Sequence, residues 1–105
     1  MGAWSYLLVA GLLEIGFASA LKLTDGFSRL WPTLAMVLLG AASFYCLTKA
    51  MGHIPVGTAY AIWTGIGAFG TALVGICFFN DPTNLARLAF LTLLVVSLVG
   101  LKCVS

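Results

Sequence analysis

Apolar residues fall into four long, nearly unbroken runs, at roughly 4–21, 32–50, 57–79 and 85–103, with polar residues gathered between them. Each run reaches the 17–25 or so mainly apolar residues that a helix needs to cross a bilayer. The apolar positions are continuous rather than alternating, which favours helix over strand. In hydrocarbon only helices and closed barrels satisfy their own backbone. The pattern predicts an all-α membrane protein with four transmembrane helices, residues 1–105 forming a single four-helix transmembrane domain. Leu23-Thr24-Asp25-Gly26-Phe27-Ser28-Arg29 reads as the first connection, with Pro32 suited to the first turn of the helix that follows. Gly52-His53-Ile54-Pro55 reads as the second and Asn80-Asp81-Pro82-Thr83-Asn84 as the third, Asn84 being placed to cap the last helix. Met1-Gly2-Ala3-Trp4-Ser5 lacks the Lys or Arg of a cleaved signal peptide, so the first run is expected to be retained as a helix.

Composition narrows the class further. Of 105 residues, 62% are apolar and only 8% charged, and the mean hydropathy is +1.13. Soluble domains carry about 25% charged residues, and so small a soluble fold could not hide this much apolar surface. A soluble enzyme, a nucleic-acid module and a disordered chain are excluded. The net charge of +2 gives no electrostatic reason to expect a nucleic-acid partner. Cys46, Cys77 and Cys103 are odd in number and lack a CxxC spacing, against a disulfide framework or a zinc site. His53 has no second His or acid spaced to share a metal. No metal and no cofactor are expected.

Seven of the eight charges lie at or near span ends, where long side chains snorkel to the interface. Loops one and three hold Lys22, Arg29 and Arg87; loop two and the C-terminal end hold Lys49 and Lys102. Positive residues in short loops set orientation, and three against two is almost no bias. The sequence therefore permits insertion both ways, and oppositely oriented copies can pair. Four short helices are also too thin to enclose a substrate path, which points to a dimer without fixing its antiparallel form.

Glu14 is the exception, the one acid inside a span. It lies ten residues after Trp4, about 15 Å of helix, or half of a roughly 30 Å hydrocarbon core. A carboxyl group there must be paired, hydrated or protonated, and is a functional-site hypothesis by default; the plain alternative is a protonated Glu that glues helices together. Its helical neighbours Ala10, Gly11, Phe17 and Ala18 include three small residues, which leave room beside it. Competition between a proton and a cation for one carboxylate is enough to couple their transport.

The third run supplies a second constellation, with Tyr60, Trp63, Thr64 and Gly67 on one helical face. Aromatic rings near a carboxylate can hold an organic cation, and the hydroxyls and indole N–H can orient Glu14. Packing or an interfacial belt is the alternative, plausible for Trp63 alone. Ser43 lies mid-span in the second run and can reach Glu14, although a lone membrane Ser more often bonds its own backbone. Gly65 and Gly67 are either a bending point or seats for close helix packing. Gly65-Ile66-Gly67-Ala68-Phe69-Gly70 also matches GxGxxG, but no βαβ unit surrounds it, so no dinucleotide site is inferred.

These residues resemble, end to end, the small multidrug resistance (SMR) family. The matching stretches are Gly11-Leu12-Leu13-Glu14, Leu21-Lys22, Gly26-Phe27-Ser28-Arg29-Leu30 and Ile54-Pro55-Val56-Gly57-Thr58-Ala59-Tyr60-Ala61-Ile62-Trp63. The resemblance implies an antiparallel, dual-topology homodimer of four-helix subunits in the bacterial plasma (inner) membrane. It implies proton-coupled cation export, with Glu14 of both subunits binding protons and substrate in turn. Tyr60, Trp63 and Ser43 match the family's binding-site positions. Trp63-Thr64-Gly65-Ile66-Gly67-Ala68, Gly70 and Gly100-Leu101-Lys102 are similar to the guanidinium exporter branch. That branch typically has Trp where this chain has Phe17, which keeps a ring but loses the N–H donor. The change implies a looser carboxylate network that admits larger or more apolar cations, or a heterodimer with a second SMR subunit.

The leading expectation is a secondary transporter, not an enzyme, that exports guanidinium or substituted guanidinium compounds in exchange for protons. A broad-specificity quaternary ammonium exporter of the same family is the nearest rival. A small structural or proton-carrying membrane subunit is the rival from another class; it accounts for Glu14 but not for Tyr60, Trp63 and the missing charge bias.

Overall fold

The computed structural model describes residues 2–105. Four helices follow in order: α1 (Ala3–Leu23), α2 (Leu30–Met51), α3 (Val56–Phe78) and α4 (Leu85–Cys103). Each is long and apolar enough to cross a membrane, so the chain is a multi-pass membrane protein. α1 packs between α2 and α3, α2 and α3 meet over a short stretch, and α4 packs along α3.

The buried core lies towards one end of the bundle, where α1 begins, α2 ends and α3 begins. Leu7 and Ala10, Cys46, Leu47 and Ala50, Ile54, and Ala59, Ile62 and Trp63 form it. Small residues there let the backbones approach closely, the main route to helix association in lipid. Three further contacts extend the α1–α3 seam. A Cβ at Gly11 would meet the Ile66 side chain at 2.7 Å, one at Gly67 would meet Glu14 Cγ at 2.5 Å, and Ile15 fills the space at Gly70. On the α2 side, Leu39 sits against Gly16 and the Phe17 ring against Gly40.

The connections close by local bonding. In the first, Asp25, Gly26 and Phe27 all have positive φ, a left-handed turn that Gly26 enters without steric cost. The buried Thr24 Oγ1 donates to Leu21 O at 2.7 Å and accepts from Phe27 N at 3.3 Å. In the third, Asp81 N donates to Gly75 O at 3.0 Å, which folds the loop back on α3. Arg87 then pairs with Asp81 at 3.7 Å. Asn84 accepts from Arg87 N at 2.8 Å, the cap its sequence position suggests. Pro32 lies in the first turn of α2, where its missing N–H costs no hydrogen bond. All three lysines sit over an aromatic ring at a span end: Lys22 over Phe79, Lys49 over Tyr45 and Lys102 over Trp4.

Candidate functional site

Glu14 sits at the middle of α1, half-buried, with its Cγ lying over Gly67 of α3. The absence of a side chain at Gly67 is what lets the carboxyl stem pass. Among the described residues the one ion pair is Arg87–Asp81, so no Lys or Arg neutralises Glu14.

The turn that carries Glu14 is fixed from two other helices. The indole Nε1 of Trp63 donates to Ser43 Oγ at 2.9 Å, and Ser43 Oγ donates to Ala10 O at 2.7 Å. Ala10 O is also the carbonyl four residues before Glu14, the acceptor of its backbone N–H in a regular helix. A buried, fully bonded chain of this kind specifies one arrangement of α1, α2 and α3. It differs from the expected wiring. Trp63 bonds to Ser43 and Ser43 to the α1 backbone, and neither bonds to the carboxylate. Ser43 bonds neither its own helix nor Glu14. Trp63 is 6% exposed, which excludes an interfacial belt position for it.

Tyr60 lies one turn before Trp63 and is open to the surface, its ring 5.5 Å from the indole at 54°. Thr64 donates back to Tyr60 O at 2.8 Å and so adds no donor to the carboxylate. Gly11 does not open room beside Glu14 as expected: Ile66 occupies the space, making Gly11 a packing position for α3. Phe17 points at α2, one turn from Ser43, rather than at the aromatic pair. α3 runs unbroken through Gly65 and Gly67, and both glycines seat a neighbour's side chain, Leu98 and Glu14 respectively.

Phe44 was not singled out from the sequence. Its ring lies 5.5 Å from Trp63 at 47°, and it is exposed. The signal was its place beside Ser43, hidden because the whole run is apolar. The result is a buried indole flanked by two exposed rings, with a carboxyl group on the neighbouring helix. Rings of this kind offer negative faces to a cation, and an unpaired carboxylate offers it a counter-charge.

Comparison with known proteins gives this geometry a family. The sequence pattern described as Small Multidrug Resistance protein matches residues 2–94. A protein of Yersinia pestis named Guanidinium exporter is 48% identical over 103 residues, covering 98% of this chain and 99% of that protein. A Guanidinium exporter of Proteus vulgaris is 48% identical over the same length. One of Escherichia coli K12 is 49% identical over 100 residues, 95% of each chain. Matched along nearly its whole length, the chain belongs to the Small Multidrug Resistance protein family.

Proposed function

We propose that this protein is a proton-coupled antiporter that exports guanidinium or substituted guanidinium cations. It works as an antiparallel homodimer in the bacterial inner membrane. Glu14 carries the reading: a carboxyl group within a span, half-buried and without a basic partner. The names of relatives 48–49% identical to it support the substrate class.

The chemistry follows from the cost of charge in hydrocarbon. An ionised Glu14 needs a counter-charge and a neutral one does not. A proton and an organic cation are thus alternative partners for each Glu14, and occupancy by one expels the other. A guanidinium presents a planar fork that a carboxylate accepts at two points. It also stacks on aromatic faces, which Tyr60 and Phe44 present. Trp63 and Ser43 act by holding the turn of α1 on which Glu14 rides. Gly11 and Gly67 seat side chains across the α1–α3 seam and Gly65 seats Leu98 of α4.

A second reading, export of bulkier quaternary ammonium ions, draws on Phe17 and on the open Phe44 ring. The two readings separate in one experiment. The purified protein is reconstituted in liposomes and proton-coupled currents are recorded with guanidinium and with a tetraalkylammonium ion. Guanidinium currents that vanish in Glu14→Gln are the expected result. Currents with the ammonium ion alone would favour the second reading. Guanidinium uptake against a proton gradient that persists in Glu14→Gln would overturn the mechanism.

A further inference from the structure

A second concavity lies apart from the Glu14 region. A groove of about 460 Å³ opens between α1, α3 and α4. Trp4 and Leu8, Ile66 and Phe69, and Val95 and Val99 line its walls. Its outer rim is Lys102, whose Nζ lies 4.9 Å from the centre of the Trp4 ring. Val95 to Lys102 is two turns of helix, about 10 Å. The groove thus runs from the interface into one leaflet, apolar along its depth and cationic at its mouth.

Charge at that end of the bundle is one-sided. The three acidic side chains are Glu14 inside a span and Asp25 and Asp81 in the loops at the other end. Lys49, His53 and Lys102 share the end where α1 begins and α4 stops, with no acidic side chain among them. The Lys102 ammonium meets a ring, which leaves N–H donors free for an anion. We propose that the groove binds one anionic phospholipid, an acyl chain lying between α1, α3 and α4 and the phosphate held by Lys102. Basic pockets between transmembrane helices bind anionic headgroups in this way, and Trp4 is suited to headgroup depth. Lys102 acts as the selecting group; the groove supplies contact for any acyl chain.

Two measurements test this. In native mass spectrometry of the unaltered full chain, offered equal phosphatidylglycerol and phosphatidylcholine, the anionic lipid is retained about fivefold more, the scale of one Lys near an anionic surface. Lys102→Gln removes the preference and Lys102→Arg keeps it. Val99→Phe, which fills the groove, lowers retention of both lipids. In vesicles, with Trp31→Phe and Trp63→Phe leaving Trp4 as the sole indole, bromine-labelled phosphatidylglycerol quenches Trp4 at lower mole fraction than bromine-labelled phosphatidylcholine. Equal retention of the two lipids would mean ordinary boundary lipid and overturn the proposal. A preference that survives Lys102→Gln would overturn it too. So would a Trp4 that neither lipid quenches, the sign of a groove covered by a second copy of the chain.

Discussion

α4 and the other three helices make unlike use of the same kind of sequence. α4 is as fit to cross a membrane as the other three, yet none of its residues is buried. α1, α2 and α3, with Ile54 from the connection between the last two, supply the whole buried core. In lipid, apolarity inserts a helix but does not associate it; association needs small residues and polar contacts. α1 to α3 have both, in the glycine seats and in the Trp63–Ser43–Ala10 chain. α4 meets them through Leu98, seated against Gly65, and through Leu101 at the edge of the core. The helix that carries the carboxyl group is thus held on two sides, and the helix at the edge is left free to meet lipid or another chain.

The sharpest way to break this contrast is at the seat of the carboxyl group. A methyl at Gly67 would come within 2.5 Å of Glu14 Cγ, so Glu14 must turn aside. Gly67→Ala is expected to cost only about 1 kcal/mol of stability, because one flexible side chain absorbs the clash. Guanidinium transport is expected to fall about 100-fold, the effect of displacing a reacting group by about 1 Å. Gly70→Ala is the control, since the side chain it displaces is Ile15. It should destabilise to a similar degree in thermal unfolding while transport stays within a few-fold. Equal transport losses in the two variants would mean that packing, not the position of the carboxyl group, sets the rate.

Next in size is the polar chain. Ser43→Ala leaves the buried Trp63 N–H without its acceptor and frees α2 from the α1 backbone. Polar contacts between membrane helices contribute about 0.6 kcal/mol on average and up to about 1.7, and an orphaned buried donor adds to that. A loss of about 1–2 kcal/mol in detergent unfolding is expected. A loss under about 0.3 kcal/mol would show that glycine packing alone holds the three helices.

How far the sequence could be read follows the same division. The four spans, the depth of Glu14 and the Asn84 cap were all legible, because length, charge placement and capping chemistry are local signals. The pairing of faces was not. Each of these helices is apolar nearly all round, so no moment says which side meets which neighbour. Trp63 could have pointed at Glu14 or at Ser43 on spacing alone, and only the crossing of α2 over α3 decides it. Gly11 read as empty space for the same reason, with Ile66 too far along the chain to be seen filling it. Phe44 went unnoticed among its apolar neighbours, and the bareness of α4 left no mark in a run as apolar as the rest.

The smallest effect is expected where α4 begins, and it makes the contrast between the helices quantitative. α4 is the one helix among the described residues with a side-chain N-cap, Asn84 to Arg87 N. The helices that share the core do without a cap, since packing holds their ends. Asn84→Ala should cost about 1 kcal/mol locally, with the exposed Arg87–Asp81 pair offsetting little of it. Because α4 is peripheral, that loss should appear as fraying: faster hydrogen exchange at the amides of residues 85–88, with the unfolding midpoint of the bundle almost unmoved. Were the midpoint to drop as far as in Ser43→Ala, α4 would unfold together with the core, and its exposed face would have to be reckoned part of the same cooperative unit as α1 to α3.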